Sequence, residues 1–520
     1  MNTRPKRIEH ATALALTGLA ACLHVLRLHH AGPLWRDEAG AVALASSPTW
    51  REIHAAFPHE AFPLLFPAIL RSCLHLFGDS DLLWRWFGLG IGLLVLAALW
   101  WNARRAGALP LVSLVLLQLH PAFPLYGDSV RGYGLGTLAI LLTFGAFARL
   151  VEQPDRRAVL CTLLASVASV HLLLHNAALL AGLGGAAALV GLLRRRYRVT
   201  LAALGIGGAA ALTLLPYLGP LGAARSWRVV LVEAVPVQDV LAKLVKVAGT
   251  PFPWLAAVWG GAIVLAAVFV WRAPADDVRW FRLLAIPFTL GCEIAFLVAV
   301  GYAPRIWYLL PVLALVASAL DGLLITDSPA PVRIARVAAA LLLVAALTAT
   351  AVDTARKRMT NVDQVARVLE QKTRPGDLIV INEWYFGISF HRTWRGETRW
   401  TTVPALADHR MHRFDLLKEK MQSADPLREV RQEIRSTLEG GRSVWLVSRD
   451  NLTPAEATVL TLPPAPNGPW GWSESPYTYV WTRQLHHLLR TEASRRQEVR
   501  LPPIGPVNGM EDLGIVRFAR

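Results

Sequence analysis

Apolar runs long enough to cross a lipid bilayer dominate the sequence, and they constrain the fold more than any other feature. A spanning helix needs about 20 mainly apolar residues. Runs of this kind occur near residues 11–29, 82–102, 108–125, 133–151, 158–174, 176–193, 199–220, 254–271, 282–300, 306–325 and 334–352. The mean hydropathy of +0.39 over the chain of 520 residues agrees, because a soluble domain of that composition would expose too much apolar surface. We therefore predict an α-helical polytopic membrane protein with about eleven transmembrane helices.

Arginine clusters separate these runs and predict the orientation of the chain. The formal net charge of +16 would suggest nucleic acid in a soluble protein, but here the charges lie between membrane runs, so no nucleic-acid partner is predicted. If the N-terminus is cytoplasmic, each cluster falls in an inner loop, as the positive-inside rule requires. The clusters are Arg104-Arg105, Arg156-Arg157, Arg194 to Arg198, Arg272 with Arg279, and Arg333. The first run then reads as a retained signal anchor rather than a cleaved signal peptide.

The composition changes sharply after residue 352, and we divide the chain there into a membrane domain (1–352) and an outer soluble domain (353–520). The second part is charged and has no further spanning run. Within it, Asp363 to Gln371 has the spacing of an amphipathic helix. Leu378 to Asn382, Ser443 to Ser448 and Gly514 to Phe518 are short apolar runs typical of buried strands. We therefore predict a small α/β domain.

The first predicted outer loop, residues 30–81, contains acidic residues in apolar and aromatic surroundings. Asp37 and Glu38 follow Trp35, and His59-Glu60 lies further along. The helical stretches of this loop are too short to span and too apolar for water, so we expect them to lie along the membrane interface. Partial desolvation there would raise the pKa of a carboxyl group and suit a general base. The alternative is that Asp37 only caps a helix that begins at Glu38.

Two further outer segments combine arginine with tyrosine at the predicted membrane surface. The first contains Asp128, Arg131 and Tyr133, and the second contains Tyr302 and Arg305. Arginine can grip a phosphate group with two parallel hydrogen bonds. The alternative for the first segment is an Asp-Arg pair at a helix start, with the tyrosines as anchors at the membrane interface. The alternative for the second segment is a single arginine whose side chain reaches to the membrane surface. Two such arginines facing one site would form a clamp for a lipid phosphate.

A divalent cation is a further candidate ligand of the first outer loop. His59 and Glu60 beside Asp37 would offer nitrogen and oxygen ligands to Mg²⁺, Mn²⁺ or Zn²⁺. The histidines of the outer segments have no recognised zinc-binding spacing. Glu293 lies inside a predicted span, where an ionisable group is costly and often functional.

Several of these segments together resemble the GT-C glycosyltransferases, and within them the bacterial proteins similar to protein O-mannosyltransferases and aminoarabinose transferases. The resemblance covers most of the membrane domain, and an outer domain after the last helix fits the aminoarabinose-transferase layout. The matching segments are Trp35-Arg-Asp-Glu-Ala39, Glu60-Ala-Phe-Pro-Leu64, Leu76-Phe-Gly-Asp-Ser80 with Trp84-Arg85, and Tyr126 to Tyr133. The chain departs from the pattern at Ala61, where aminoarabinose transferases carry lysine, and at Asp128, which lies one position before the usual glutamate.

The resemblance implies a GT-C fold and an inverting transfer of sugar from a polyprenyl (undecaprenyl) phosphate to a hydroxyl or phosphate acceptor. Asp37 would be the catalytic base, and Glu60 would orient substrate or hold a divalent cation together with Asp37. Arg131 and Arg305 would stabilise the departing phosphate. We also assign substrate binding to Glu38, His59, Asp128, Tyr133 and Tyr302. The implied location is the bacterial cytoplasmic membrane, with the C-terminal domain outside.

Two other classes of function compete with this interpretation. A transporter or flippase for lipid-linked saccharides would also need a charged, aromatic site, but transporters commonly contain internal repeats and mid-membrane charges. This chain shows no repeat and concentrates its polar residues in the outer loops. A non-catalytic membrane anchor that presents residues 353–520 to partners is the third class. The acceptor, which could be a lipid, a glycan or a protein, is not predicted.

Overall fold

The computed structural model of the protein describes residues 4–224, 235–272, 276–301, 304–324, 329–449, 460–465 and 473–520. Helices form the chain up to Ala355, and an α/β domain follows. The apolar side chains of the helical part form one large core, whereas the α/β domain has separate cores on the two faces of its sheet.

Nine helices of the described ranges are long and apolar enough to cross a membrane. They are α1 (Arg4–His30), α6 (Asp81–Arg105), α8 (Gly132–Glu152), α10 (Asn176–Leu193), α11 (Tyr197–Leu212), α14 (Trp254–Arg272), α15 (Asp277–Val300), α16 (Leu310–Leu323) and α17 (Ala330–Ala355). The apolar stretch of α11 continues to Gly222, and that of α16 begins at Ile306. These nine agree with nine of the eleven predicted spans and confirm a polytopic helical membrane protein.

The other two predicted spans take a different form. The segment predicted at 158–174 is α9 (Arg156–Leu172), a helix of 17 residues. The segment predicted at 108–125 is not one helix, because it contains only α7 (Leu111–Leu116) and a single π-helical turn at Phe123–Gly127. Pro121 and Pro124 lack the backbone N–H that a continuous helix would need there. The predicted eleven continuous spans are therefore corrected to nine long helices, the shorter α9 and one broken segment.

Short helices occupy the loop between α1 and α6 and the stretch before α14. They are α2 (Arg36–Ala45), α3 (Trp50–Ala55), α4 (Phe57–Glu60), α5 (Leu65–Phe77), α12 (Leu218–Ala224) and α13 (Val237–Ala248). Leu76 and Phe77, at the end of α5, are strongly exposed while Phe66 and Leu70 are buried. An apolar exposed face of this kind is typical of a helix that lies along a membrane surface.

A five-stranded mixed sheet organises the C-terminal domain, with strand order β2-β1-β3-β5-β4. The strands are β1 (Leu378–Asn382), β2 (Trp400–Thr402), β3 (Val444–Ser448), β4 (Arg495–Val499) and β5 (Gly514–Ala519). The helices are α18 (Val362–Lys372), α19 (Phe386–Thr393), α20 (Phe414–Gln422), α21 (Arg428–Glu439) and α22 (Glu474–Glu492). The predicted helix and all three predicted strands are confirmed as α18, β1, β3 and β5.

The membrane helices have a basic end and an opposite end on which the C-terminal domain rests. At the basic end, ion pairs join the arginine-rich loops: Arg196 to Asp277 at 2.8 Å and Arg333 to Glu9 at 2.9 Å. At the opposite end, Arg392 of α19 binds Asp79 at 2.6 Å. The arginine-rich loops that were predicted to share one side of the membrane thus lie at the same end of the helices. The assignment of this end to the cytoplasm stays a prediction.

Glu511 is a buried acid at this junction, and it makes the stability of the protein depend on pH. Its carboxylate lies 3.4 Å from the backbone nitrogen of Arg36. Burial raises the pKa of Glu511 from its ordinary value of 4.5 to about 7. A group whose pKa is raised in the folded state contributes its full stabilisation below about pH 4.5, and this contribution is lost as the pH rises through 7.

We expect the melting temperature to fall more between pH 6 and pH 8 in the wild type than in Glu511→Gln. Equal slopes in a melting series in detergent would contradict this.

Candidate functional site

The helix α2 begins at Arg36, two residues before Glu38, and both Asp37 and Glu38 lie in its first turn. Its N-cap is Trp35, and Asp37 is the second helical residue. The alternative that Asp37 caps a helix starting at Glu38 is therefore wrong. Carboxylates in a first turn are favoured by the positive end of the helix dipole. Asp37 and Glu38 nevertheless enter different surroundings.

Glu38 is enclosed in the protein and satisfied by several donors. Its Oε1 lies 2.7 Å from Nη1 of Arg85 on α6, and its Oε2 lies 3.0 Å from Nη2 of the same guanidinium. The backbone N–H of Val130 also donates to Oε1, at 3.0 Å. This bidentate pair fixes α2 against α6 and the loop before α8. These contacts give Glu38 a role in packing, and its assignment to substrate binding stays a prediction.

Glu60 and Arg131 meet beside Asp37, as the sequence interpretation required. Glu60 ends α4, and Arg131 is the residue before α8. Nη1 of Arg131 lies 2.5 Å from Oε2 of Glu60 and 3.0 Å from the backbone oxygen of Asp37. The guanidinium also covers the ring of Phe62 at 4.5 Å. Arg131 thus holds three segments of the first two outer loops together.

The ion pair keeps Glu60 ionised despite its burial. Burial alone would raise the pKa of Glu60, but the positive charges of Arg131 and His412 outweigh it and hold the pKa at about 2. Glu60 is therefore an acceptor of hydrogen bonds at neutral pH. It is unsuited to take a proton from a substrate.

His412 of the C-terminal domain is a site residue that the sequence interpretation missed. Its Nδ1 lies 2.9 Å from Oε1 of Glu60, and its Nε2 lies 3.7 Å from Oδ1 of Asp37. It sits in a charged stretch without regular structure just before α20, and nothing in the sequence links it to a loop some 350 positions earlier. We refer to Asp37, Glu60, Arg131 and His412 as the Asp37 cluster.

Asp37 differs from the other acidic residues near it because its carboxylate is not held by short hydrogen bonds. Its Oδ1 lies 3.5 Å from Nε of Arg36 and 3.7 Å from His412. The side chain is 18% exposed, whereas those of Glu38 and Glu60 are only 1% exposed. A carboxylate with weak contacts and access from outside can accept a proton from a bound molecule.

Positive charge flanks the Asp37 cluster on the side of the C-terminal domain. The Arg36 guanidinium lies 4.2 Å from the centre of the Tyr385 ring, a cation–π contact that holds it in place. Arg305 is exposed and, within the described ranges, pairs with no acidic group. Burial raises the pKa of Glu474 to about 7, while the nearby charges of His412, Arg36 and Arg305 act in the opposite direction. These groups therefore share one electrostatic environment.

The remaining predicted site residues lie at varying distances from this cluster. Asp128 points between α1 and α6, where its Oδ2 lies 2.7 Å from Nδ1 of the buried His24. Asp128 therefore takes part in helix packing, and its assignment to substrate binding stays a prediction. His59 faces Asp415 of the C-terminal domain at 4.0 Å. Tyr133 packs against Tyr308, with ring centres 5.9 Å apart. Tyr302 lies outside the described residues.

Glu293 lies well inside α15, within the membrane-spanning part. Neither of its carboxylate oxygens has a hydrogen-bond partner among the residues that the structure describes, and the side chain is buried. It is not part of the Asp37 cluster.

Of the residues predicted to hold a divalent cation, Glu60 is already engaged in short contacts, whereas Asp37 is not. Both carboxylate oxygens of Glu60 face cationic or N–H groups, on Arg131 and His412. No group of three or more His, Cys, Asp or Glu side chains in the described residues is arranged to hold a metal ion. As placed, Asp37 and Glu60 fit an ion-pair network better than a metal site. A role for a divalent cation stays a prediction.

Gly40 is required by the close approach of α2 to Glu60. A methyl group at this position would lie 2.5 Å from Oε1 of Glu60, inside van der Waals contact. We expect Gly40→Ala to displace Glu60 from His412 and to destabilise the protein by about 1–3 kcal/mol, the usual cost of overpacking. The matched control is Gly90→Ala in α6, where the added methyl group meets open space. Denaturant unfolding of both variants tests this, and equal stabilities would contradict it.

The comparisons with known proteins agree with this architecture. No family model and no curated protein sequence matches the chain. Among solved structures, the crystal structure of ArnT from Cupriavidus metallidurans bound to undecaprenyl phosphate matches with a TM-score of 0.50 at 13% sequence identity. The match covers 86% of this chain and 93% of that one. At this identity the likeness establishes the fold: the chain is a helical multi-pass membrane protein with the GT-C fold and a C-terminal α/β domain.

Proposed function

We propose that the protein is an inverting glycosyltransferase that moves a sugar from a polyprenyl phosphate to a hydroxyl or phosphate acceptor at the outer face of a bacterial cytoplasmic membrane. The observation that carries the proposal is the position of Asp37. Its carboxylate is accessible and weakly held, whereas the nearby acids Glu38 and Glu60 form ion pairs with arginines. An inverting transfer needs one such base.

The donor class follows from chemistry and from the fold. Nucleotide sugars are confined to the cytosol, so an activated sugar outside must be carried by a lipid. The ArnT structure that shares the fold contains undecaprenyl phosphate. In our proposal the basic end of the helices faces the cytoplasm, in keeping with the positive-inside rule, and the Asp37 cluster faces outward.

The chemical step can be assigned to residues of this chain. The acceptor hydroxyl gives its proton to the Asp37 carboxylate while its oxygen attacks the anomeric carbon from the face opposite the phosphate. The bond between that carbon and the phosphate oxygen breaks, and its electron pair leaves with the polyprenyl phosphate. In the proposal, Arg305 and Arg36 stabilise the charge that develops on the phosphate.

Arg131 takes a different role in this proposal from the one the resemblance implied. Its Nη1 is bound to Glu60 and to the backbone of Asp37, so the guanidinium is largely engaged. We assign it to positioning the cluster, and we assign phosphate binding to the exposed Arg305. Positioning of this kind lowers the barrier because the reacting groups are held in the productive geometry.

A turnover assay tests the proposal. Purified protein in lipid nanodiscs would be incubated with a panel of polyprenyl-phosphate sugars and with lipid, glycan and protein acceptors, and release of polyprenyl phosphate would be measured. We expect release with at least one donor, dependent on an acceptor, with inverted configuration in the product. Movement of intact donor across the bilayer of proteoliposomes, without cleavage, would instead support a flippase. Chelation by EDTA in the same assay decides whether a divalent cation takes part.

A further inference from the structure

We infer that the C-terminal domain completes the catalytic site, and that His412 is the positioning residue through which it does so. The inference rests on the proposed function and adds a role for residues 353–520, which otherwise serve only as a neighbour of the membrane helices. His412 bridges the two carboxylates of the site from outside the membrane domain.

The bridge uses both nitrogens of the imidazole ring. Nδ1 makes a hydrogen bond of 2.9 Å with Oε1 of Glu60, and Nε2 faces Oδ1 of Asp37 at 3.7 Å. The first distance is a full hydrogen bond, whereas the second is too long for one. The ring therefore fixes Glu60 while leaving Asp37 free to accept a proton, and it limits the directions in which the Asp37 side chain can turn.

Loss of the ring would be felt at Glu60 first. One oxygen of this buried carboxylate would keep Arg131, but Oε1 would lose its short side-chain donor. Oε1 would then keep only a long contact of 3.5 Å with the backbone N–H of His412. A buried acceptor held so weakly is costly, so Glu60 would move toward another donor. Since Arg131 binds both Glu60 and the backbone of Asp37, this movement would displace the base.

The C-terminal domain holds His412 in a fixed place. The ring packs edge-on against Trp384, with ring centres 6.1 Å apart, and stacks on Phe414 at 5.7 Å. The next residue, Arg413, forms ion pairs with Asp408 at 2.9 Å and with Asp415 at 2.7 Å. These contacts lie within the C-terminal domain, so the position of the ring is set by that domain and by how it rests on the membrane helices.

Docking contacts around the site connect the position of the domain to that of the ring. His59, the neighbour of Glu60, faces Asp415 at 4.0 Å. At a second place, Arg392 binds Asp79 and Asp81 of the membrane domain at 2.6 Å and 2.9 Å. The C-terminal domain thus contacts the first outer loop at two places, and His412 lies at one of them.

Three substitutions of His412 separate positioning from a general structural role. His412→Ala removes the ring. His412→Asn keeps an N–H donor near the position of Nδ1, and His412→Gln places one near Nε2. We expect His412→Ala to lower kcat about 100-fold with little change in KM, since a misplacement of about 1 Å can have this effect. His412→Asn should recover much of the lost kcat, and His412→Gln should not.

The control is His409→Ala, three residues earlier, whose ring packs on Trp400 rather than on the site. This variant should keep the kcat of the wild type. Melting temperatures of all four variants identify any that fail to fold. Wild-type kcat in His412→Ala would overturn the inference, as would equal losses in the alanine, asparagine and glutamine variants. If wild-type protein cleaves no donor at all, the proposed function itself fails, which is a separate outcome.

Discussion

Replacement of Asp37 by asparagine is expected to lower turnover about 10³-fold, in the middle of the range for loss of a general base. Asparagine has nearly the same shape but cannot take up the proton of the acceptor. The Asp37 carboxylate makes no short hydrogen bond among the described residues, so its loss should leave the fold intact. The measurement is kcat/KM for polyprenyl phosphate release, together with the melting temperature of the variant.

A matched control for this variant is Glu52→Gln. Glu52 is an exposed acid of α3 in the same loop, and its partner is the hydroxyl of Thr49 rather than any member of the Asp37 cluster. The Glu52→Gln variant should turn over donor at the wild-type rate. Wild-type turnover in Asp37→Asn would remove Asp37 from the mechanism. A collapse of the melting temperature would instead assign Asp37 a structural role.

Replacement of Arg85 by methionine is expected to have the largest effect on stability, a loss of about 3–5 kcal/mol. The substitution leaves Glu38 as a buried charge without its bidentate partner. Removing both charges in Arg85→Met with Glu38→Leu should recover a large part of the loss, because the uncompensated charge is then gone. Denaturant unfolding in detergent micelles measures both differences.

The same helix provides the control. Arg105 lies at the other end of α6 and pairs with Glu152 at 3.4 Å near the surface. Exposed pairs contribute about 0–1 kcal/mol, so Arg105→Met should change stability little. If Arg85→Met and Arg105→Met cost the same, the pair of Arg85 with Glu38 does not hold α2 in place.

The sequence alone could not distinguish the roles of the adjacent residues Asp37 and Glu38. Asp37 and Glu38 are adjacent acids after one apolar run, and no periodicity tells which of them faces a substrate. The difference arises from Arg85, almost 50 positions away, which reaches Glu38 and not Asp37. Only the packing of α2 against α6 decides the matter.

The sequence predicted the membrane helices well because each of them corresponds to one continuous run of apolar residues. It failed at 108–125, where hydropathy is high but proline interrupts the helix. In the C-terminal domain it found β1, β3 and β5 and missed the two edge strands, β2 and β4. β2 has only three residues, and those of β4 are almost all exposed and charged or polar. Apolar runs cannot mark a strand at the edge of a sheet.

The site was predictable in the outer loops and not beyond them. Asp37, Glu60 and Arg131 were expected together, and Arg131 contacts both Glu60 and the backbone of Asp37. His412 was not expected, because a single histidine in a charged loop carries no local signal. Asp128 was expected beside Arg131, but its carboxylate contacts His24 between the membrane helices, a partner that no local pattern indicates.

We expect the sugar donor to bind at the Asp37 cluster, and a structure with bound donor would show its position. The sample would be protein in nanodiscs with a non-cleavable polyprenyl-phosphonate sugar, examined by electron cryomicroscopy. We predict the anomeric carbon beside the Asp37 carboxylate and the phosphonate beside Arg305 and Arg36. A donor bound with its phosphonate at the basic end of the helices, or with its sugar away from Asp37, would rule out Asp37 as the base.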